Sequence, residues 1–284
     1  MDYFSGISGR SLSFSVMMSI CFIAISILIF GIIFNFKKWG NGSLGYGLDP
    51  DNKNKNNVIV FFKTFINQFK SKSNIHHHQS LLKTIFYDIL LQRRIYRRSK
   101  IRWFMHICIF YGWMGLFSLS LLMFLVELTH MYFEHFKPYL LFDIDLFRES
   151  LQLPNQILGY ILLLGVLIAL FRRIFLKSIR KESNSYDWIL ITTLLLVIIT
   201  GFMAHTGRYI VPGISTFSGI ELIFLDYKIW TFGGMIQFLT YVKEIALFHS
   251  FLALFVGFAY IPFSKYVHVI ATPLSLIINK GGEN

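Results

Sequence analysis

The chain has 284 residues, of which 55% are hydrophobic, 18% aromatic and only 15% charged, yet its 27 Lys and Arg against 15 Asp and Glu give a net charge of +12. A composition this apolar excludes a disordered chain, and it argues against a nucleic-acid-binding protein, which would carry such charge on a water-soluble scaffold. Two cysteines, Cys21 and Cys108, are too few for a disulfide framework, a zinc site or an iron–sulfur cluster.

Apolar segments suited to crossing a membrane recur along the chain. A hydrocarbon core of about 30 Å takes about 20 residues of helix. Runs of this length favour helices over the alternating strands of a membrane barrel, and the first is too long for a cleaved signal peptide. We therefore predict an all-α integral membrane protein, a bundle of five transmembrane helices. They cover residues 12–36, 103–126, 157–171, 189–203 and 245–263.

The basic residues fall mainly on one side of these predicted spans. Segment 37–102, connection 172–187 and the tail from residue 265 hold 21 of the 27 basic residues but only 6 of the 15 acidic ones. Because short basic loops stay in the cytoplasm, we predict an outside N-terminus and a cytoplasmic C-terminus. The chain then divides into an N-terminus with the first helix (1–36), a basic cytoplasmic segment (37–102) and a four-helix membrane core (103–284).

The basic segment has its own helical pattern. Its apolar residues recur at helical spacing between residues 58 and 102, which predicts a pair of amphipathic helices at the inner surface. Such helices could lie on anionic lipid, dock an acidic soluble partner, or do both. The triplet His76–His78 has no other ligand nearby in sequence, so we interpret it as a solvated surface tract. The pattern uses Phe61, Phe65, Phe69, Leu81, Leu82, Ile85, Phe86, Ile89 and Leu90.

Polar groups inside a membrane mark function, and in the predicted spans these groups are histidines. Neutral imidazole is a common axial ligand of haem iron, and two imidazoles from facing helices can hold one haem. The histidines sort to two depths. His106 and His268 belong to the inner side, whereas His249, His205, His130 and His135 belong to the outer side.

The depths can be checked from the helical rise. His249 and His268 are 19 residues apart, or about 28 Å along a continuous helix, so they serve opposite sides of the bilayer. His106 then pairs in depth with His268, and His249 pairs with His205 or His130. This predicts two haems, one near the basic face and one near the outer side. Between His249 and His268, a bulge or kink at 257–262 could adjust the ring directions.

Three stretches resemble one family of membrane cytochromes. Residues 102–116 (RWFMHICIFYGWMGL) and 249–268 (ending YIPFSKYVH) are similar to the second and fifth helices of cytochrome b subunits related to the gamma subunit of respiratory nitrate reductase. Residues 199–202 (ITGF), followed by Arg208, resemble the fourth helix of the membrane subunits of heterodisulfide reductase and of sulfite-reductase-associated complexes. The resemblance covers the chain from about residue 62. It implies a dihaem anchor that exchanges electrons between membrane quinone and a cytoplasmic iron–sulfur subunit, often of the heterodisulfide reductase type.

The resemblance also implies the haem ligands. His106 and His268 match the proximal pair, and His249 matches one distal ligand. The family's second distal ligand follows the first by ten residues, where this chain has Leu116. His205 is the preferred substitute because its depth matches that of His249, and His130 or a five-coordinate iron are the alternatives.

Three cations complete the predicted sites. Arg102 and Arg208 are candidate partners of the haem propionates through charge-assisted hydrogen bonds. Lys243 precedes His249 by six residues and could contact quinone, or it could extend to the membrane surface.

These features predict a quinone-reactive subunit of a respiratory oxidoreductase in a bacterial or archaeal cytoplasmic membrane. Its iron–sulfur partner docks on the basic segment 37–102, and substrate-specific catalysis lies in the partner subunits. The alternative is a haem-free transporter or structural anchor, which leaves the depth-sorted histidines as coincidence.

Overall fold

The computed structural model of the chain describes residues 12–41, 81–132, 144–210 and 242–279, together with positions 58, 59, 62, 63 and 66. All regular structure in these ranges is helical, which confirms the predicted all-α class. The chain divides into two compact units. The first comprises Met1–Met18 and Ile101–Ala253, and the second comprises Ser19–Lys100 and Leu254–Asn284.

The described helices follow the predicted order, with additional short helices between the long ones. We number the α-helices in chain order, and two of them continue as π-helix. They are α1 (Leu12–Asn41), α2 (Leu81–Lys83, continued as π-helix over Thr84–Leu90), α3 (Arg93–Arg98), α4 (Lys100–Tyr132), α5 (Ile144–Phe175), α6 (Lys177–Glu182), α7 (Ser185–Ile210), α8 (Val242–Leu254, continued as π-helix over Phe255–Ala259) and α9 (His268–Asn279).

Within the described ranges, four helices are long and apolar enough to cross a membrane. The fifth apolar helix is shorter. The third and fourth helices are longer than the sequence predicted, because helical structure continues through polar residues at their ends. The four long segments are Val16–Trp39, Lys100–Val126, Ser150–Phe175 and Ser185–Thr206, and the shorter one is Glu244–Ala259.

The start of α7 shows how polar residues extend a span. The backbone N–H of Asp187 donates to Asn184 Oδ1 over 3.2 Å, and the backbone N–H of Asn184 donates to Asp187 Oδ2 over 3.3 Å. This reciprocal capping box satisfies backbone donors that the first turn of a helix leaves unpaired. The helix therefore begins at Ser185, four residues before the predicted span.

The fifth predicted span is not one continuous helix. The α-helix gives way to π-helix at Phe255, and two short 3₁₀ turns, Ile261–Phe263 and Lys265–Val267, follow before α9 begins at His268. Pro262 lacks a backbone N–H and stands in the first turn, where that donor is not needed. The bulge expected between residues 257 and 262 is therefore present. The spacing of 28 Å assumed a continuous helix, so it does not apply to this segment.

Small residues bring the helices of the first unit close together. A Cβ added to Gly112 would lie 2.7 Å from Leu162 Cβ, and one added to Gly165 would lie 2.9 Å from Cys108 Cβ. Close backbone approach at small residues is the usual way that membrane helices associate. Cys108 of α4 contacts Gly165 of α5, and Gly112, further along α4, contacts Leu162, which lies earlier in α5. The two helices are therefore antiparallel. The buried core between α5 and α7 consists of Leu162, Val166, Ala169, Ile191, Leu194 and Ile198.

In the second unit, α1 holds the turn that follows the fifth apolar helix. Asn35 Nδ2 donates to the Pro262 carbonyl over 2.8 Å and to the Gly31 carbonyl of its own helix over 2.9 Å. A Cβ on Gly31 would lie only 2.6 Å from Pro262 Cβ, so only glycine permits this approach. The first apolar helix is therefore more than a membrane anchor, because it fixes the turn before His268.

The predicted amphipathic helices of the basic segment are only partly described. The stretch carrying Phe61, Phe65 and Phe69 lies outside the described residues, as does His76–His78. The second predicted helix is broken at Gln92, which has a left-handed backbone (φ 50°, ψ 43°). Sequence periodicity did not predict this break, because glutamine carries no strong turn signal.

The burial of this second stretch is the reverse of that in a water-soluble amphipathic helix. The buried residues are polar: Thr84 is 2% exposed, and Asp88 and Gln92 are each 8% exposed. Large apolar residues point outward instead, with Leu82 75% and Phe86 52% exposed. The polar face packs inward on the second unit, where the π-helix contacts α9. An apolar outer face is the arrangement expected of a helix that lies against lipid.

Candidate functional site

His249 lies on α8 and faces α7. Its Nδ1 is 3.1 Å from Thr200 Oγ1. The Thr200 hydroxyl donates its single proton to the backbone, with Leu196 O at 2.8 Å and Val197 O at 3.1 Å. The hydroxyl oxygen therefore accepts a hydrogen bond from His249 Nδ1–H. This tautomer places the basic lone pair on Nε2, the nitrogen that would bind a metal.

The next residue of the ITGF motif makes room for the same ring. A Cβ added to Gly201 would lie 3.0 Å from His249 Cε1 and 3.5 Å from each ring nitrogen. The imidazole thus rests against the backbone of α7 at a position where every other side chain would crowd it. The sequence singled out this Thr-Gly pair by resemblance alone, and the contact with His249 supplies its physical reason.

The contacts between α7 and α8 fix their register. Met203 and Ala204 pack with Ile245, whereas Thr200 contacts His249, so the two helices run antiparallel. His205 follows Ala204 and lies level with the start of α8. It is therefore about one turn, or roughly 6 Å, nearer that end of the bundle than His249. Both ring nitrogens of His205 are buried from solvent. The structure thus brings the two predicted distal histidines to the same end of the first unit.

Leu116 occupies the position of the second distal ligand in the resembling family. It packs against the buried core formed by α5 and α7. A ligand at this position would point into the bundle, but leucine can only fill space there. Leu116 therefore cannot replace the family's second distal ligand, and the identity of that ligand stays a prediction.

His106 lies less than two turns inside α4, and its Nδ1 is buried. The residue before it, Met105, accepts a hydrogen bond at Sδ from Arg172 Nη1 over 3.7 Å. This contact places a cation from the end of α5 beside the start of α4. Sequence reasoning missed Arg172, since it belongs to a basic cluster that topology alone explains. Arg102, the predicted propionate partner, is exposed one turn before His106.

His268 is the first residue of α9. Its Nδ1 contacts the Lys265 carbonyl, which can only accept, so Nδ1 carries the proton and the basic lone pair lies on Nε2. Ser264 shapes the preceding turn by accepting the Tyr266 backbone N–H over 3.1 Å. Burial raises the pKa of the Tyr266 phenol, which therefore stays protonated and neutral at physiological pH. His106 belongs to the first unit and His268 to the second, so their pairing stays a prediction.

Several predicted residues lie at the limits of the described structure. His130, Arg208 and Lys243 fall on α4, α7 and α8, but their side chains lie outside the described part of the chain. His135 lies outside it altogether. Their predicted roles remain predictions.

Haem fits the histidines better than a bare metal ion does. Among the described residues, no three His, Cys, Asp or Glu side chains come together as an ion site. A haem iron needs only one or two protein ligands. His249 and His268 each have Nδ1 against an oxygen acceptor, the arrangement that orients imidazole for iron. These two residues can therefore serve as axial ligands.

The basic surface contains an acid that sequence reasoning overlooked. Asp88, whose side chain is 5% exposed, pairs with Arg93 Nε at 3.4 Å and with Arg94 Nε at 3.9 Å. Arg97 and Arg98 are exposed in the same short helix. The four arginines of this helix, which belongs to the basic segment predicted to dock a partner, therefore differ: an internal carboxylate holds one pair, and the other pair faces outward.

The chain is similar to known proteins along its whole length. Residues 82–276 match the sequence profile of HdrE, the family of the E subunits of dihydromethanophenazine:CoB--CoM heterodisulfide reductase. The E subunit of that enzyme from Methanosarcina acetivorans is 48% identical over the whole chain and 98% of the relative. Those from Methanosarcina mazei and Methanosarcina thermophila are each 46% identical over the whole chain, covering 100% and 98% of the relatives. No solved structure matches the chain.

Proposed function

Because the chain belongs to the HdrE family of heterodisulfide reductase subunits, we propose that it is the membrane subunit of such a reductase and accepts electrons from a reduced phenazine carrier. The relatives' name pairs dihydromethanophenazine with a CoB–CoM heterodisulfide. A dihydro carrier is a reductant and a disulfide is an oxidant, so electrons flow from the membrane carrier towards the partner subunits. The carrier is quinone-like, and it takes the place of the quinone inferred from the sequence.

The histidines of this chain would hold two b-type haems. When bound, each haem would supply a one-electron centre between a two-electron membrane carrier and the partner subunit. His249 and His268 would each provide Nε2 to a different haem. His106 would be the second ligand of the haem near the basic face, and His205 the preferred second ligand of the other. The contact of His268 Nδ1 with the Lys265 carbonyl, which leaves the basic lone pair on Nε2, is the observation that carries this proposal.

The proposed subunit crosses the membrane five times. The shorter helix Glu244–Ala259 is extended by the 3₁₀ turn Ile261–Phe263, in which Ile261 and Pro262 are buried. We take this composite segment as the fifth crossing, with the N-terminus outside and the C-terminus in the cytoplasm. The contact of Arg172 with Met105 brings together the end of α5 and the start of α4, the two helix ends that carry predicted cytoplasmic charge.

A cytoplasmic iron–sulfur subunit docks on the basic segment. Arg97 and Arg98 are the outward-facing cations of α3. The exposed apolar side chains Leu82 and Phe86 lie nearby in the chain and suit lipid. The segment thus serves both functions left open by the sequence, with lipid on its apolar side and the partner on its arginines.

The reduced-minus-oxidised absorbance spectrum of the purified full chain tests the haem proposal. We expect a b-type α band, and replacing His249 or His268 singly with Ala should remove different haem populations. A haem-replete preparation without the band would support the alternative, a haem-free anchor. Equal loss of both haems from each variant would contradict the assignment of the two histidines to separate sites.

A further inference from the structure

We propose that Thr200 is a positioning residue that fixes the tautomer and ring orientation of His249 for iron binding, with Gly201 providing the space. This inference rests on the proposed function, since it assigns His249 to a haem. A threonine inside an apolar helix does not predict such a role by itself. The role follows from the hydrogen-bond partners of its hydroxyl group.

The hydroxyl of Thr200 has one proton and two lone pairs. Its proton is shared between the carbonyls of Leu196 and Val197, at 2.8 Å and 3.1 Å. Threonine in a helix commonly donates back to the preceding turn in this way. A lone pair therefore remains for His249 Nδ1 at 3.1 Å. With the hydroxyl proton on these carbonyls, the alternative tautomer would set a nitrogen lone pair against an oxygen lone pair.

The hydrogen bond has two consequences for a metal at Nε2. It fixes the orientation of the imidazole plane. It also shifts electron density from the Nδ1–H bond into the ring, which makes Nε2 a stronger electron-pair donor to the metal. A stronger donor stabilises ferric over ferrous iron and keeps the midpoint potential of that haem low. Residues that hold a ligand in this way typically change metal affinity about 10- to 100-fold when they are removed.

The same helix supplies a matched control. Thr193 donates to Ile189 O over 2.7 Å and to Leu190 O over 3.1 Å, the same backbone pattern as Thr200, but it is half-buried whereas Thr200 is buried. Replacing Thr193 or Thr200 with Val therefore removes the same backbone hydrogen bonds at the same residue volume. Only the change at Thr200 removes an acceptor from His249.

The experiment compares the wild-type chain in its complex with T200V, T200S and T193V. The readouts are the haem content, the midpoint potential of each haem and the low-spin ferric signal in electron paramagnetic resonance. We expect T200V to bind the His249 haem about 10- to 100-fold more weakly, to raise its potential and to shift its signal. T200S, which keeps the hydroxyl, should restore all three readouts, and T193V should match the wild type.

The outcomes separate the two proposals. A wild-type chain without haem would overturn the proposed function and this inference with it. A haem-containing wild type whose T200V variant has an unchanged potential and signal would overturn the inference alone, as would equal changes in T200V and T193V. If T200V does not accumulate, T200A and T200S are compared in the same way, because neither adds volume.

Discussion

The hydrogen bond from Asn35 to the Pro262 carbonyl should stabilise the turn that precedes His268. N35L keeps the side-chain volume nearly constant but removes the Nδ2 donor that contacts Pro262 O at 2.8 Å. The bond to Gly31 O, at 2.9 Å, contributes less, because that carbonyl also accepts a hydrogen bond within α1. Losing the partner of a buried acceptor costs about 1–3 kcal/mol. We therefore expect a decrease of about 2 kcal/mol in the free energy of unfolding.

The assay is denaturant unfolding in detergent, followed by helical circular dichroism and by haem absorbance. The effect should be local, so haem held by His268 should be lost before haem held by His249. S118A is the control, because Ser118 Oγ donates only to Met114 O of its own helix, over 2.8 Å. We expect less than about 0.5 kcal/mol for that variant. An N35L variant as stable as S118A, or one that loses both haems together, would refute the reasoning.

Three further predictions follow from the contacts above. G201A places a Cβ 3.0 Å from His249 Cε1, so the ring must shift by a few tenths of an ångström. The absorbance spectrum of the haem held by His249 should change, while that of the haem held by His268 stays constant. An unchanged spectrum would contradict the contact. Replacing Arg97 and Arg98 with Ser should weaken binding of the partner subunit in a pull-down at low salt, while both haems are retained. A defect in membrane insertion alone would show that these charges serve only topology. D88N should strengthen binding of the partner subunit, because it releases Arg93 and Arg94 from their carboxylate. We expect tighter binding together with a loss of about 1 kcal/mol in the free energy of unfolding. Weaker binding would count against docking on this face.

The long helices were predictable because hydropathy reports the solvent that a segment faces. The segments around His106 and Thr200 needed no tertiary information to be recognised as helices. Their ends were less predictable, since the box of Asn184 and Asp187 adds helical turns that hydropathy does not register.

The break in the fifth helix was only half predictable. Pro262 indicated a disruption, but the conversion of the stretch before His268 into π-helix and 3₁₀ turns depends on a partner in α1. Asn35 is separated from Pro262 by 227 residues, and no local pattern connects them. A single polar residue in an apolar helix indicates a partner without identifying it.

The basic segment shows a different limit. Periodicity correctly identified an apolar side and a polar side, but it could not say which would face the protein. In water the apolar side would be buried, whereas here Thr84, Asp88 and Gln92 are buried and Phe86 is exposed. Beside a bilayer the outer environment is itself apolar, so the usual inference from hydrophobicity to burial reverses.

The candidate site was predicted as a set of residue types but not as an arrangement. Histidine depth predicted that His249 and His205 share one end of the bundle, and the register of α7 and α8 sets them about one turn apart there, while their roles as ligands stay predictions. The orientation of His249 depends on the hydroxyl of Thr200, whose partner lies on another helix. A resemblance could mark that threonine, but only the three-dimensional contact gives it a function.

In the proposed function, this chain passes electrons from a reduced membrane carrier to a partner that reduces a disulfide. The most direct measurement is stopped-flow absorbance of the b-type α band in the purified complex, first mixed with a dihydrophenazine and then with the CoB–CoM heterodisulfide. We predict that the band appears with the first addition and bleaches with the second, and that H249A is slower in the first step. A complex that lacks the band, or whose band responds to neither addition, would contradict the account.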